Sequence, residues 1–224
     1  LADEHPAVAS ELVPAVCRTV RTIGDGHSSA GRRVLPGAPE EAIRRAAMAM
    51  LAELPGPLIV GSVDGSEKGD YERVEDVLTT VVTALETGET SGTKAHAFGV
   101  IGELAATQPT AVSEKFAGTA LAPRKLVENV LTNSIDPQLL TGVLRAATIL
   151  ASQESTRRHV ASVGQEILAE VASSEAVGVR VWSLAFAREL GRDVPVDPHS
   201  LWEQLEEADS PDDVLWWMLA EYGA

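Results

Sequence analysis

The side chains best suited to metal or nucleophilic chemistry are five histidines, at positions 5, 27, 96, 159 and 199, and a single cysteine, Cys17. None of the histidines has a second His, a Cys or an acid at a spacing that argues for a metal-binding helix. The chain holds no HExxH, no Walker loop, no GxGxxG and no GxSxG, the patterns that place a zinc pair, a phosphate cradle or a nucleophile. His96 shares a helical stretch with Phe98 and Ile101 and reads as a hydrogen-bonded or surface histidine. Cys17, between Val16 and Arg18, reads as a small buried hydrophobe, and one cysteine forms no intrachain disulfide. These residue types assign no catalytic residue, no cofactor and no metal.

The segment Asp64 to Glu75 comes nearest to an ion site. Asp64, Ser66, Glu72 and Glu75 fall at positions 1, 3, 9 and 12 of a calcium-binding loop, with Gly69 at its turn. Lys68 occupies position 5, where an oxygen ligand is required and an ammonium repels the ion. The segment reads as an acidic loop leading into a capped helix.

Two clusters carry the candidate partner contacts. Arg18 and Arg21 lie three apart on one helix face, and Arg44 with Arg45 sits on the next helix. With Arg32 and Arg33 they are the one basic concentration in the chain, suited to docking an acidic partner or a phosphate. The bland alternative pairs them with Glu11, Glu40 and Glu41 on solvated faces, where ion pairs stabilise little. At the other end, Trp216 and Trp217 point about 100° apart on a helix. Each is suited to anchoring a partner or to capping a terminal apolar face.

Charge narrows the partner class. The 224 residues carry a net charge of −15. Residues 1–58 hold seven acids and six bases, whereas residues 193–224 hold nine acids and no Lys or Arg. A surface this negative disfavours nucleic acid, because binding a phosphate backbone depends on cations that displace its counterions. The bias of 14 Arg over 4 Lys, with abundant Asp, Glu, Ala, Val and Thr, is similar to that of proteins from salt-loving archaea and is shared by high-GC bacteria. No apolar run approaches the roughly 18 residues of a membrane span, and none of the residues given reads as a leader of the secretory kind. A cytoplasmic location is expected. Leu1 in place of Met favours a domain or subunit of a larger assembly.

The elements that must position these residues are helices. Val74, Val77, Leu78, Val81, Val82 and Leu85 follow a single face at period 3.6, as do Leu140, Val143, Leu144, Ala147, Leu150 and Ala151. Val160, Val163, Ile167, Leu168 and Val171 give a third stripe. Val181 to Leu190 is apolar on more than one side and is expected to be central. Asp136-Pro137 and Asp197-Pro198 each place an N-cap before a proline at the first helical position, and Ser210-Pro211-Asp212-Asp213 is a third start. Gly24–Gly37, Gly61–Gly69 and Gly88–Gly92 read as loops. Leu58-Ile59-Val60 is a lone short apolar run that extends or caps a helix. Nothing alternates over strand length, so nine or ten helices and no sheet are expected.

A recurring tetrad organises them. Leu1-Ala2-Asp3-Glu4 precedes His5-Pro6, Leu51-Ala52-Glu53-Leu54 precedes Pro55, and Leu104-Ala105-Ala106-Thr107 precedes Gln108-Pro109. Leu150-Ala151-Ser152-Gln153 holds the equivalent place before Ser155. The Leu-Ala pairs recur after 50, 53 and 46 residues, near the roughly 40–47 residues of a HEAT or armadillo unit. Each tetrad marks a helix that ends on buried Leu and Ala and then turns where proline prevents its continuation.

On these marks the chain resembles the HEAT and armadillo helical-repeat families. The resemblance implies an all-α fold: a short right-handed α-solenoid of stacked antiparallel helix pairs over residues 1–192, closed by an acidic, Trp-containing helical cap over 193–224. It also implies a non-catalytic protein–protein interaction module or scaffold subunit that binds another protein or peptide, with Arg18, Arg21, Arg44, Arg45, Trp216 and Trp217 as contact candidates. The alternative implied by the same families is a HEAT-like DNA glycosylase or another HEAT-fold enzyme.

Overall fold

The computed structural model describes residues 6–28, 39–60, 67–88, 90–115, 136–193, 196–206 and 213–222, with residue 128. The Leu1–Glu4 tetrad, Arg32, Arg33, Asp64, Ser66 and the Ser210-Pro211-Asp212 start signal lie outside these residues.

All regular structure among the described residues is helical. Twelve helices run in the order α1 (Pro6–Ser28), α2 (Pro39–Ala52), α3 (Gly56–Val60), α4 (Glu67–Thr87), α5 (Ser91–Thr107) and α6 (Pro109–Lys115). They continue as α7 (Pro137–Ser152), α8 (Glu154–Ala161), α9 (Gly164–Val171), α10 (Val177–Glu189), α11 (Pro198–Glu206) and α12 (Asp213–Tyr222).

The start and stop chemistry acts where the residues demand it. Asp136 accepts hydrogen bonds from the backbone N–H groups of Gln138 (3.0 Å) and Leu139 (3.2 Å), satisfying two donors that α7 cannot pair internally. Asp197 likewise accepts from the His199 N–H at 3.1 Å. Three tetrads sit at the ends of α2, α5 and α7, and each is followed by a short helix, α3, α6 and α8 respectively. At the second tetrad, Gln108 N–H closes the last turn of α5 on Leu104 O at 2.6 Å. At the third, Thr156 Oγ1 donates to Leu150 O at 2.5 Å and Arg157 Nε to Ala151 O at 2.7 Å.

Helical continuity exceeds expectation at three glycine-marked places. Gly24 lies inside α1, Gly69 inside α4 and Gly92 inside α5. A glycine inside a helix costs only about 1 kcal/mol relative to alanine, so it does not by itself end one. Nine of the twelve positions of the calcium-like segment are helical from Glu67 onward, so they form no ion-wrapping loop.

The stripe Val160 to Val171 is broken, by contrast. α8 stops at Ala161 and α9 starts at Gly164, with Val163 N–H bonded to Val160 O at 3.2 Å and Ser162 Oγ to His159 O at 2.8 Å. Gly164 meets α10 so closely that a Cβ there would run into Leu190 Cδ1. Of the two halves of the stripe, α9 packs on α10, whereas α8 packs on α6 and α7.

The core is one contiguous cluster. α5 is its centre, with Ala95, Ala97, Phe98, Val100, Ile101, Leu104 and Ala105 all buried, and it packs against α2, α3, α4, α6 and α7. α10 is buried on several sides through Val179, Val181, Trp182, Leu184 and Phe186, as its sequence anticipates. Neighbour relations follow two rows. In one, α2 packs on α5, α5 on α7, α7 on α10 and α10 on α12; in the other, α1 packs on α4, α4 on α6, α6 on α8 and α8 on α9. Small residues let the first row close up. A Cβ at Gly142 of α7 would stand 3.0 Å from Ala95 O and 3.2 Å from Ala95 Cα of α5.

Candidate functional site

The most concentrated polar arrangement lies where α2 meets the end of α4 and the start of α5. Glu41 and Arg44 are one turn apart on α2 and both face inward, at 2% and 0% exposure. Glu41 Oε2 accepts from Arg44 Nη1 at 2.6 Å. Its Oε1 accepts from Thr93 Oγ1 (2.7 Å), Thr90 Oγ1 (2.8 Å) and Thr90 N–H (3.2 Å). Arg44 Nη1 also donates to Thr87 O at 3.3 Å. Burial alone would push the Glu41 carboxyl up. The Thr93 and Thr90 hydroxyls, the Thr90 N–H and the Arg44 guanidinium outweigh it and hold the group below the usual carboxylate range. A carboxylate with four donors and no solvent access is a poor base. Its work is to tie three helices together, with Arg44 Nε and Nη2 buried and without hydrogen-bond partners.

That geometry corrects the basic patch. Arg44 is the interior member of an ion pair and is unavailable to a partner, because the i, i+3 spacing to Glu41 and the inward turn of α2 place both beneath the surface. Arg21 is half-exposed and holds Asp76 of α4 in a bidentate pair, Nη1 to Oδ1 at 2.7 Å and Nη2 to Oδ2 at 3.0 Å. Arg18 and Arg45 are exposed. Trp216 and Trp217 lie on α12 with their side chains outside the described residues.

Arg45 belongs to a surface strip that crosses consecutive helices of the α2–α5–α7 row. A Cβ at Gly92 of α5 would stand 3.4 Å from Arg45 Cδ and 4.0 Å from Gln138 Oε1 of α7. His96, half-buried one turn further along α5, has its imidazole pKa pulled down by burial, raised by Glu53 and lowered by Arg45. Farther along, Arg145 Nη2 of α7 donates to Glu103 Oε1 of α5 at 3.0 Å. The strip therefore offers side chains of both signs, with Gly92 leaving open space between them.

Two further features were not apparent from local motifs. Ser113 Oγ lies 3.3 Å from His159 Nε2 and 3.1 Å from Ser155 O, a pairing between residues 46 positions apart that spacing cannot reveal. On α2, Ile43 (48%) and Met50 (44%) are the large apolar side chains left exposed among the described residues. The signal for them was present: α2 is apolar on both of its faces.

Cys17 is fully buried, and burial raises its thiol pKa, disfavouring the thiolate that reacts. Among the described residues, no group of three or more His, Cys, Asp or Glu side chains could hold a metal ion. No described helix is long and apolar enough to cross a membrane. No protein-family model, curated protein or solved structure matches the chain.

Proposed function

We propose that this chain is a non-catalytic protein-binding module, built as a short HEAT- or armadillo-like stack of helix pairs over residues 1–192 with a helical cap beyond. The observation that carries this reading is the row α2–α5–α7–α10, in which the three described tetrads end three successive members. Repetition of one helix type in one row gives a continuous surface, and stacked repeats use such surfaces for recognition. The binding surface is the strip containing Arg45, His96, Glu103 and Arg145. Helices already in place require little ordering when a peptide or protein lies across them.

Two variants test the strip. Arg45→Glu reverses its exposed cation, and Gly92→Arg fills the space that the glycine leaves without meeting backbone. Affinity capture from a native lysate at several salt concentrations, read by mass spectrometry, is expected to recover one protein with the unaltered chain and to lose it with both variants, while melting temperatures stay unchanged. Recovery of nucleic acid alone, or of the same protein with both variants, would overturn the reading.

A further inference from the structure

The outward face of α2 is apolar without interruption. Ala42, Ile43, Ala46 and Met50 are exposed and Ala49 is partly so. At 100° per residue they share one face, opposite the inward Glu41, Arg44, Ala47, Met48 and Leu51. α2 is also the first described member of its row, packing on α5 with no row neighbour beyond it among the described helices. A row end facing water is expected to be polar, and this one is not.

We propose that this face joins a second copy of the chain, α2 against α2, about a twofold axis at Ala46. Two observations favour a second copy. The first is steric. In an antiparallel pair centred on Ala46, Ile43 comes level with the partner copy's Ala49 and Met50 with its Ala42, while Ala46 meets its own equivalent. Large residues face small ones, as a twofold interface requires of a single surface. The second is electrostatic. A chain of net charge −15 repels its own copy, but residues 1–58 hold seven acids against six bases, so nearly all of the excess lies beyond the α2 region. Association of like with like meets less repulsion here than at the acidic residues 193–224. One helix face falls short of the roughly 800 Å² per partner of a standard interface, so the dimer is a weak one.

Sedimentation equilibrium over a concentration series is the first measurement. The unaltered chain is expected to shift from monomer to dimer, and the Ile43→Glu, Met50→Glu double variant to stay monomeric with an unchanged helical signal. A second variant keeps the idea testable whatever that double substitution does to folding. With Cys17 buried, Ala46→Cys provides a single accessible thiol, which a short bis-maleimide is expected to link into a covalent dimer, whereas Thr19→Cys on exposed α1 gives none. A chain that remains monomeric up to ~1 mM, a dimer that survives the double variant, or equal linking at Thr19 and Ala46 would each overturn the proposal. So would a monomer whose α2 face binds a different protein.

Discussion

Glu41 and Arg44 stand one helical turn apart with 2.6 Å between Oε2 and Nη1, and neither is reached by solvent. A pair at this spacing on a surface helix contributes a few tenths of a kcal/mol. Buried here, it also holds the Thr87 carbonyl at the end of α4 and the Thr90 cap of α5, so its removal reaches three helices. Charges taken out of water are costly even when paired, and two Arg44 nitrogens without hydrogen-bond partners add to that cost.

Glu41→Gln leaves a buried guanidinium without its counter-charge and is expected to lose about 3–5 kcal/mol of stability. Arg44→Met strands the carboxylate instead, although the threonine donors remain to it, so its loss is expected to be the smaller of the two. The double substitution Glu41→Leu, Arg44→Met is expected to recover most of the deficit. Urea denaturation of the three variants measures this; losses that simply add would show that the pair is not coupled.

Acid is expected to act on the same pair. Because the folded pKa of Glu41 is depressed, its contribution is fully present above the unfolded carboxylate value and is lost as pH falls through the folded one. The stability gap between the unaltered chain and Glu41→Gln should therefore be widest near neutral pH and narrow progressively under acid. Denaturation midpoints of the two proteins across an acid series check it; a gap independent of pH would count against the assignment.

The α5–α7 contact depends on the missing side chain of Gly142. Gly142→Ala presses a methyl onto the Ala95 backbone, which has no freedom to move aside, and is expected to cost about 1–3 kcal/mol. Gly99→Ala meets only the Ala52 methyl at 3.3 Å near the end of α2. It is expected to be neutral or to gain up to about 1 kcal/mol from helix propensity. Melting temperatures of the two variants decide the order.

The α7 cap gives a calibration. Asp136→Ala removes the acceptor of two backbone N–H groups and is expected to cost about 0.5–2 kcal/mol, with Asp136→Asn retaining most of the stability. Equal losses for both variants would mean that charge at the helix start, and not hydrogen bonding, matters most there.

Helix identity was legible because it is local. The period-3.6 stripes of α4 and α7, the Asp-Pro starts and the tetrad ends all depend on residues within a few turns of one another, and the structure has helices at each described one. The many-sided apolarity of α10 was likewise legible, because it needs only the residues of that segment. Which face of a helix is wet depends on what is packed against it, and that is set by residues far away in the chain. Arg44 and Arg45 are adjacent and chemically alike. Only the arrival of Thr87, Thr90 and Thr93 beside α2 turns the first inward as half of an ion pair, while Gly92 leaves room for the second at the surface. The same holds for Val160 to Val171, whose unbroken pattern is divided between α8 and α9, with Gly164 held too close to Leu190 for a side chain. Local periodicity determined what the segments are; tertiary packing decided which charges and apolar faces remain available to a partner.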